Sequence, residues 1–174
     1  MANRNKVGIC EWTMPITGPN VCKFVAELGY DGLQLITGDY EKGFPLSKKV
    51  TQQAYLEEAE RYEIDFASIT TRVTDFYSMF DPPGSEEHTV VRTGITKAIE
   101  TAEVMGIDVV MVPNFAKSDA RPPDRFDRLV HELQWACDLA ADHGVLLAEE
   151  NCMTPDDTVR LFEAIDRKNL RLYF

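Results

Sequence analysis

The run Gly144-Val145-Leu146-Leu147-Ala148-Glu149-Glu150-Asn151 sets four consecutive apolar residues directly ahead of two carboxylates and an amide. Four apolar residues in succession describe a strand buried on both faces, the pattern of parallel sheets. The acids and the amide stand where that strand should end, and ligand sites in parallel α/β folds form at the carboxyl ends of strands. Side chains alternate along a strand, so Glu149 and Glu150 must face opposite sides. If Leu146 and Ala148 fill the interior of a closed sheet, Glu150 shares their side and Glu149 does not. A solvated rim acid is the alternative reading of Glu150.

The same plan of helix, Gly or polar turn and short apolar strand recurs at Leu28–Ile36, Tyr62–Ala67 and Met105–Val112. Gly29, Gly106 and Gly144 each suit the left-handed position that ends a helix. Helical stripes lie between: Val91, Ile95, Ala98, Ile99, Ala102 and Met105, then Phe126, Leu129, Val130, Leu133, Ala136, Cys137, Ala140 and Ala141. Val159, Phe162 and Ile165 mark a shorter helix, opened by Thr154-Pro155-Asp156-Asp157 with an N-cap, a first-turn proline and dipole-matched acids. Strands are placed near 6–12, 32–37, 65–71, 108–114, 145–151 and 170–174. Alternation with helices indicates a parallel sheet with right-handed crossovers.

The strand starts recur roughly every 33 residues, so eight units would need about 262, near the ~250 of a (β/α)8 barrel. The expected fold is therefore α/β, about five and a half units of a TIM barrel. An open doubly wound sheet of six strands is the competing architecture. Long connections follow strands, at 38–46, 72–84 and 115–123, whereas helix-to-strand connections are short, as expected when one rim carries the site. The last strand, with none after it, should present an edge open to pairing or homo-oligomer formation.

The 174-residue chain is 44% hydrophobic with a formal net charge of −11, enough for one domain, residues 1–174, with a sizeable core. The negative balance, unrelieved by any Lys/Arg cluster, argues against a nucleic acid partner. No apolar run nears the roughly 18 residues of a membrane span. Met1-Ala2-Asn3-Arg4-Asn5-Lys6 lacks the apolar core of a signal peptide. Cys10, Cys22, Cys137 and Cys152 lack metal-knuckle or redox spacing. A cytoplasmic protein with reduced cysteines is the expectation.

Gly-Val-x-Leu-Ala-x-Glu-Asn at 144–151 resembles the fifth-strand motif of the sugar phosphate isomerase/epimerase family, which has the xylose isomerase-like barrel. Gly29-Tyr30-Asp31-Gly32, Met105-Gly106 and the final strand fit the same pattern. The resemblance implies an isomerase or epimerase of a small sugar or sugar phosphate. It also implies a divalent metal (Mn, Mg, Co or Zn) at the rim, with Glu150 as ligand and participant in proton transfer. Proton removal next to a carbonyl would give an enediolate, and reprotonation an isomer or epimer.

This sequence departs from the pattern in two places. The family's remaining ligands come from strands six to eight, and the sixth-strand aspartate would follow a segment like Leu172-Tyr173-Phe174, where the chain stops. One carboxylate cannot satisfy a cation that takes about six oxygens, so the metal site is expected to be incomplete. Many relatives also carry a glutamate where this chain has Gln34. A non-catalytic barrel fragment or sugar-binding domain is the second reading. A third, a relative of endonuclease IV, is disfavoured by the acidic balance and by His88, His131 and His143 falling in helices.

Other rim candidates are Trp12, as a wall for a sugar ring or a core residue, and Arg72 and Asn114, as partners for hydroxyl or phosphate oxygens. Phe76, Tyr77, Met79 and Phe80 either cover a substrate or anchor the long loop after the third strand. Lys117, Arg121 and Arg125 are read as solvated loop charge, and Cys10 and Cys152 as packing residues.

Overall fold

The computed structural model describes residues 5–173. Met1–Arg4, part of the stretch judged to lack a signal peptide, and Phe174, at the end of the expected final strand, lie outside those residues. Six strands follow one another: β1 (Gly8–Cys10), β2 (Gly32–Ile36), β3 (Asp65–Thr70), β4 (Val109–Asn114), β5 (Leu146–Asn151) and β6 (Leu170–Leu172). The helices are α1 (Val21–Glu27), α2 (Lys49–Tyr62), α3 (Val73–Phe76), α4 (Glu86–Met105), α5 (Phe126–Asp142) and α6 (Pro155–Ile165). Among the described residues no helix is long and apolar enough to cross a membrane, and all four cysteines are free thiols.

All neighbouring strands are parallel, in the order β1-β2-β3-β4-β5-β6. This order decides between the two architectures. Crossovers between parallel strands are almost always right-handed, so an order that never reverses puts every helix on the same face. A doubly wound sheet must reverse its order to cover both faces. A sheet covered on one face must curl to hide the other, which makes it a segment of a barrel. The curl is visible directly: the Tyr173 hydroxyl, just past β6, donates to Gln34 Oε1 on β2 at 3.1 Å.

The two faces of each strand have different work. Leu33, Leu35, Ile69, Val110, Val112 and Leu147 point to the helices and are fully buried. They pack into one core with Ile95, Ile99, Leu129, Leu133, Leu161 and Ile165. Burying such aliphatic side chains stabilises the fold by about 1.5–3 kcal/mol each before entropy is counted. Gly8, Cys10, Gln34, Ser68, Ala148 and Tyr173 line a cavity of about 430 Å³ on the concave face. Among the described residues β6 pairs with β5 alone, and Leu172 there is exposed.

Local signals explain most helix ends. α4 closes at Gly106, whose φ of 67° is left-handed and whose N–H returns to Ala102 and Glu103 carbonyls. Thr154 caps α6 by accepting from the Asp157 N–H at 3.2 Å. Two ends escape the glycine rule: Glu63 after α2 and Asp166 after α6 take the left-handed conformation without being glycine. Two stripe residues also face outward. Ala141 and Val159 are exposed, and the buried face of α6 is carried by Leu161 and Ile165.

One buried charge cluster joins α4 to α5. Glu132, 3% exposed, lies 3.1 Å from His88 Nε2 and accepts from Arg92 Nε at 3.0 Å and Arg128 Nε at 3.2 Å. Burial alone would raise its pKa, but the hydrogen bonds from Arg92 and His88 hold it below the ordinary carboxylate value. Its stabilising contribution is therefore present at neutral pH and lost as the pH falls through its depressed folded-state pKa. We expect Glu132→Ala to lower stability by about 3 kcal/mol, the low end for a broken buried pair because both arginines keep partial solvent contact. Urea unfolding at pH 7 measures this. A loss under about 0.5 kcal/mol would assign the cluster to the surface class.

Candidate active site

The carboxyl ends of β1, β3, β4 and β5 enclose a cleft of about 280 Å³. β1 gives way to a short 3-10 turn that carries Trp12 to the rim. Thr70 ends β3, and Arg72 and Asp75 sit where the chain turns into α3. Met111 and Pro113 come from the concave face of β4, and Pro113 is paired in register with Glu150 of β5. The cleft thus gathers Trp12, Thr70, Arg72, Asp75 and Glu150, residues that span 138 positions of sequence.

Arg72 is fixed rather than free. Its Nε donates to Asp75 Oδ2 at 3.0 Å, and its guanidinium lies 5.9 Å from the Trp12 ring centroid and 6.0 Å from that of Phe76. Burial first, and then the negative charge of Asp75, push the Glu150 carboxyl above its ordinary value. A carboxylate with raised proton affinity, half-buried beside an aromatic wall, is suited to accept a proton from carbon. The Thr70 hydroxyl is buried at the cleft without a hydrogen-bond partner.

Three of the four candidate contact residues therefore meet: Trp12, Arg72 and Glu150. Asn114 does not join them. It ends β4 on the same side as Val110 and Val112, turned toward the helices, and is fully buried. Its Nδ2 donates to Glu149 Oε1 at 3.1 Å. The expectation of a sugar contact from Asn114 is corrected by alternation: two residues beyond a helix-facing valine, a side chain faces the helices again.

Glu149 and several other polar residues were given no role from the sequence. The alternation rule placed Glu149 on the outer side but did not foresee its complete burial. Burial lifts its pKa to about 7, against hydrogen bonds from Asn151 and Asn114 that hold it down. Asn151 donates to Glu149 Oε2 at 2.6 Å and accepts from the Met153 N–H at 2.7 Å, so the network braces the exit of β5. Glu11 is also buried: it accepts from the Ile36 N–H at 3.1 Å and from the Tyr55 hydroxyl. There the carboxylate substitutes for the ladder acceptor that β1, ending at Cys10, no longer supplies.

Below the cleft, Gln34 is a hub. Its Oε1 accepts from Cys10 Sγ at 3.4 Å and from Tyr173, and its Nε2 faces Met111 Sδ at 3.6 Å. A neutral amide at this position joins β1, β2, β4 and the residue after β6 without adding a charge to the concave face. Met79 is buried and anchors the long loop after β3, while Phe76, 60% exposed, stands at the rim. No histidine reaches the cleft: His88 belongs to the α4–α5 charge cluster, His131 is on α5, and His143 Nδ1 meets Glu103 Oε2 at 2.8 Å beyond the end of α5.

Among the described residues no group of three or more His, Cys, Asp or Glu side chains converges to hold a metal ion. Glu150 and Asp75 are the acids of the cleft, and Asp75 is already paired with Arg72. A hard divalent cation takes about six oxygen ligands, so these residues do not complete a site for one.

A parallel barrel segment with a carboxylate and an aromatic wall at its carboxyl rim defines a class, and the comparisons agree with it. Residues 22–174 match the family described as the xylose isomerase-like TIM barrel, and the chain belongs to that family. It is 25% identical over 167 residues to a 2-epi-5-epi-valiolone 7-phosphate 2-epimerase of Actinoplanes sp., covering 96% of this chain and 60% of that protein. The fold is shared with D-psicose 3-epimerase of Clostridium cellulolyticum H10, solved with D-tagatose (TM-score 0.73, 13% identity, 97% of this chain and 62% of that one). It is shared also with the IOLI protein, solved with a zinc atom (TM-score 0.72, 16% identity, 97% and 62%). The chain thus spans about three-fifths of the length of these relatives.

Two outcomes follow from the site geometry. Asn114→Ala should lower stability by about 1–3 kcal/mol, because it removes a donor from a buried carboxyl. Thermal and urea unfolding report this, and a loss of sugar affinity at unchanged stability would contradict it. A polypeptide of these residues alone should show no saturable one-to-one Mn²⁺ binding by calorimetry. Tight binding that disappears in Glu150→Gln would overturn that expectation.

Proposed function

We propose that the protein is an isomerase or epimerase of a small sugar or sugar derivative, working by proton transfer next to a carbonyl. The observation that carries this reading is the placement of Glu150, half-buried at the carboxyl rim, facing Trp12 and Arg72 across one cleft. The family membership and the epimerase names of its relatives support the reaction class.

In this proposal the apolar face of the sugar rests on Trp12, which excludes water and fixes the ring. The Glu150 carboxylate accepts the proton from the carbon beside the carbonyl, leaving an enediolate. Arg72 keeps Nη donors beyond the one committed to Asp75, and these face negative charge as it develops on oxygen. The unpartnered Thr70 hydroxyl offers a hydrogen bond to a sugar hydroxyl. Return of the proton by Glu150 to the neighbouring carbon gives an isomer, whereas protonation of the original carbon from the opposite face, by a donor other than Glu150, gives an epimer.

For the whole protein we also infer a divalent cation with Glu150 among its ligands, supported by the zinc in one relative. The described residues do not complete its coordination, and the proton transfer derived above rests on the carboxylate. A sugar-binding scaffold without catalysis is the second reading, favoured by that incomplete donor set.

Glu150→Gln keeps the shape and removes the base. In D₂O, deuterium incorporation next to the carbonyl of ketohexoses, followed by proton NMR, should fall about 10²–10⁴-fold in this variant. Exchange that survives the substitution would remove Glu150 from the chemistry. Binding without exchange in the unsubstituted protein would favour the scaffold.

A further inference from the structure

The short helix α3 has Arg72 at its start and Asp75 in its single turn, and both residues line the Glu150 cleft. One turn of helix holds its own orientation poorly, because forming it fixes several dihedrals for very few hydrogen bonds. It has to be pinned from outside. The sheet pins its entry, where the Thr71 N–H donates to the Met111 carbonyl at 3.1 Å. Its exit lies beyond the sheet. There the backbone groups of three successive residues, Tyr77, Ser78 and Met79, are held by two side chains from other elements.

Ser118 supplies two of these bonds. It ends the 3-10 turn Ala116–Ser118 after β4 and is fully buried. Its hydroxyl donates to the Tyr77 carbonyl at 3.1 Å and accepts from the Met79 N–H at 3.1 Å. Glu87, in the first turn of α4, supplies the third. One of its carboxylate oxygens accepts from the Ser78 N–H at 2.8 Å, and the other from Lys117 Nζ at 2.9 Å. Both ties therefore run to the same turn. That turn adjoins the cleft, since the Ser118 N–H donates at 2.8 Å to the carbonyl of Phe115, which lines it. Within it Ala116 keeps φ at 47°, a left-handed conformation that a residue with a Cβ holds where its surroundings impose it.

Other contacts hold the loop farther out. Arg128 Nη2 donates to the Asp81 carbonyl at 2.6 Å, and the Arg125 guanidinium lies 4.8 Å from the Phe80 ring centroid. On its other flank the Tyr77 ring meets Tyr40 edge to face, centroids 5.8 Å apart, in an aromatic cleft between the loops after β2 and β3. The Ser118 bonds are the ones adjoining α3. Tyr77 N–H donates to the Val73 carbonyl at 2.9 Å and Asp75 N–H to that of Arg72 at 3.0 Å, so displacement of Tyr77 passes back along the turn.

We propose that Ser118 is a positioning residue of the active site: by fixing the backbone at Tyr77 and Met79 it sets the orientation of α3, and so the aim of Arg72 into the Glu150 cleft. This rests on the isomerase/epimerase reading and adds to it a residue that touches no substrate. The role needs one group that both donates and accepts, which a hydroxyl does and a methyl does not.

The test is a double-substitution cycle in the whole protein, read by deuterium exchange next to the carbonyl of ketohexoses. Ser118→Ala, checked for fold by circular dichroism, should lower kcat/KM about 10²-fold, the cost of misplacing a reacting or charge-stabilising group by about 1 Å. In an Arg72→Met background the same substitution should cost less than about twofold, because the group it misplaces is already gone. Glu87→Ala, at a partly exposed side chain, should cost about threefold with the same dependence on Arg72, and it carries the test if Ser118→Ala does not fold. An unchanged kcat/KM in the variant that carries the test overturns the positioning role. A loss of equal size with and without Arg72 overturns it too, since that marks a general effect on the fold. Both results leave the isomerase reading standing. Absence of exchange in the unsubstituted protein overturns that reading and the positioning role together.

Discussion

Parallel strands laid down in unbroken order impose the constraint from which the rest follows. Because each right-handed return places its helix on the same face, one side of the sheet is sealed by an apolar core and the other is left bare. The bare side can be hidden only by bending the sheet upon itself, and bending points the carboxyl ends of all strands toward a common centre. Trp12, Thr70, Arg72 and Glu150 become neighbours for that reason, although no two of the strands that carry them were given a direct chemical reason to associate. The hydrogen bond from Tyr173 to Gln34, reaching from β6 across to β2, records how far the bending has gone.

Within that frame, β5 shows how one strand can place like groups in unlike surroundings. Glu149 and Glu150 are adjacent, yet the pleat sends one into the sealed face and the other into the bare one. Glu149 is enclosed and receives two amide donors, so its role is to hold β4 and β5 together at their exit. Glu150 keeps access to the cleft, with its proton affinity lifted by partial burial and by Asp75. Structural and chemical duties are thereby divided by the alternation of the chain, without any difference in residue type. The same division recurs at β1, where Glu11 turns inward to complete a backbone ladder and Trp12, one residue on, reaches the rim.

The polar residues of the cleft are held by short-range partners on their own or adjoining loops. Arg72 is secured by Asp75 three residues later and flanked by Trp12 and Phe76, which leaves it oriented, with its Nη donors open to further acceptors. The aromatic cleft beside it is assembled from two different loops, those after β2 and β3, that meet only because β2 and β3 are paired. Rings from one loop support rings from the other, and this is what keeps such large apolar groups at the surface.

Much of this was legible along the chain because it depends on local pattern. Apolar runs marked the six strands, Gly106 and the Thr154 cap marked helix ends, and the order of acids after Leu146-Leu147-Ala148 put Glu150 on the same side as Leu146 and Ala148, whichever side that was. What local pattern could not supply was each residue's surroundings. Asn114 read as a rim residue because it ends a strand, but the valines two and four places earlier had already committed its side chain to the helices. The burial of Glu149, the bracing by Glu11 and the central place of Gln34 depend on atoms tens of residues away, brought near only when the sheet bends. Val159 likewise satisfied a helical period yet faces solvent, since the period defines a stripe and the neighbouring helix decides how wide the covered stripe is. Periodicity is a property of successive residues and survives in the sequence; proximity between distant strands is created by packing and exists only in the folded chain.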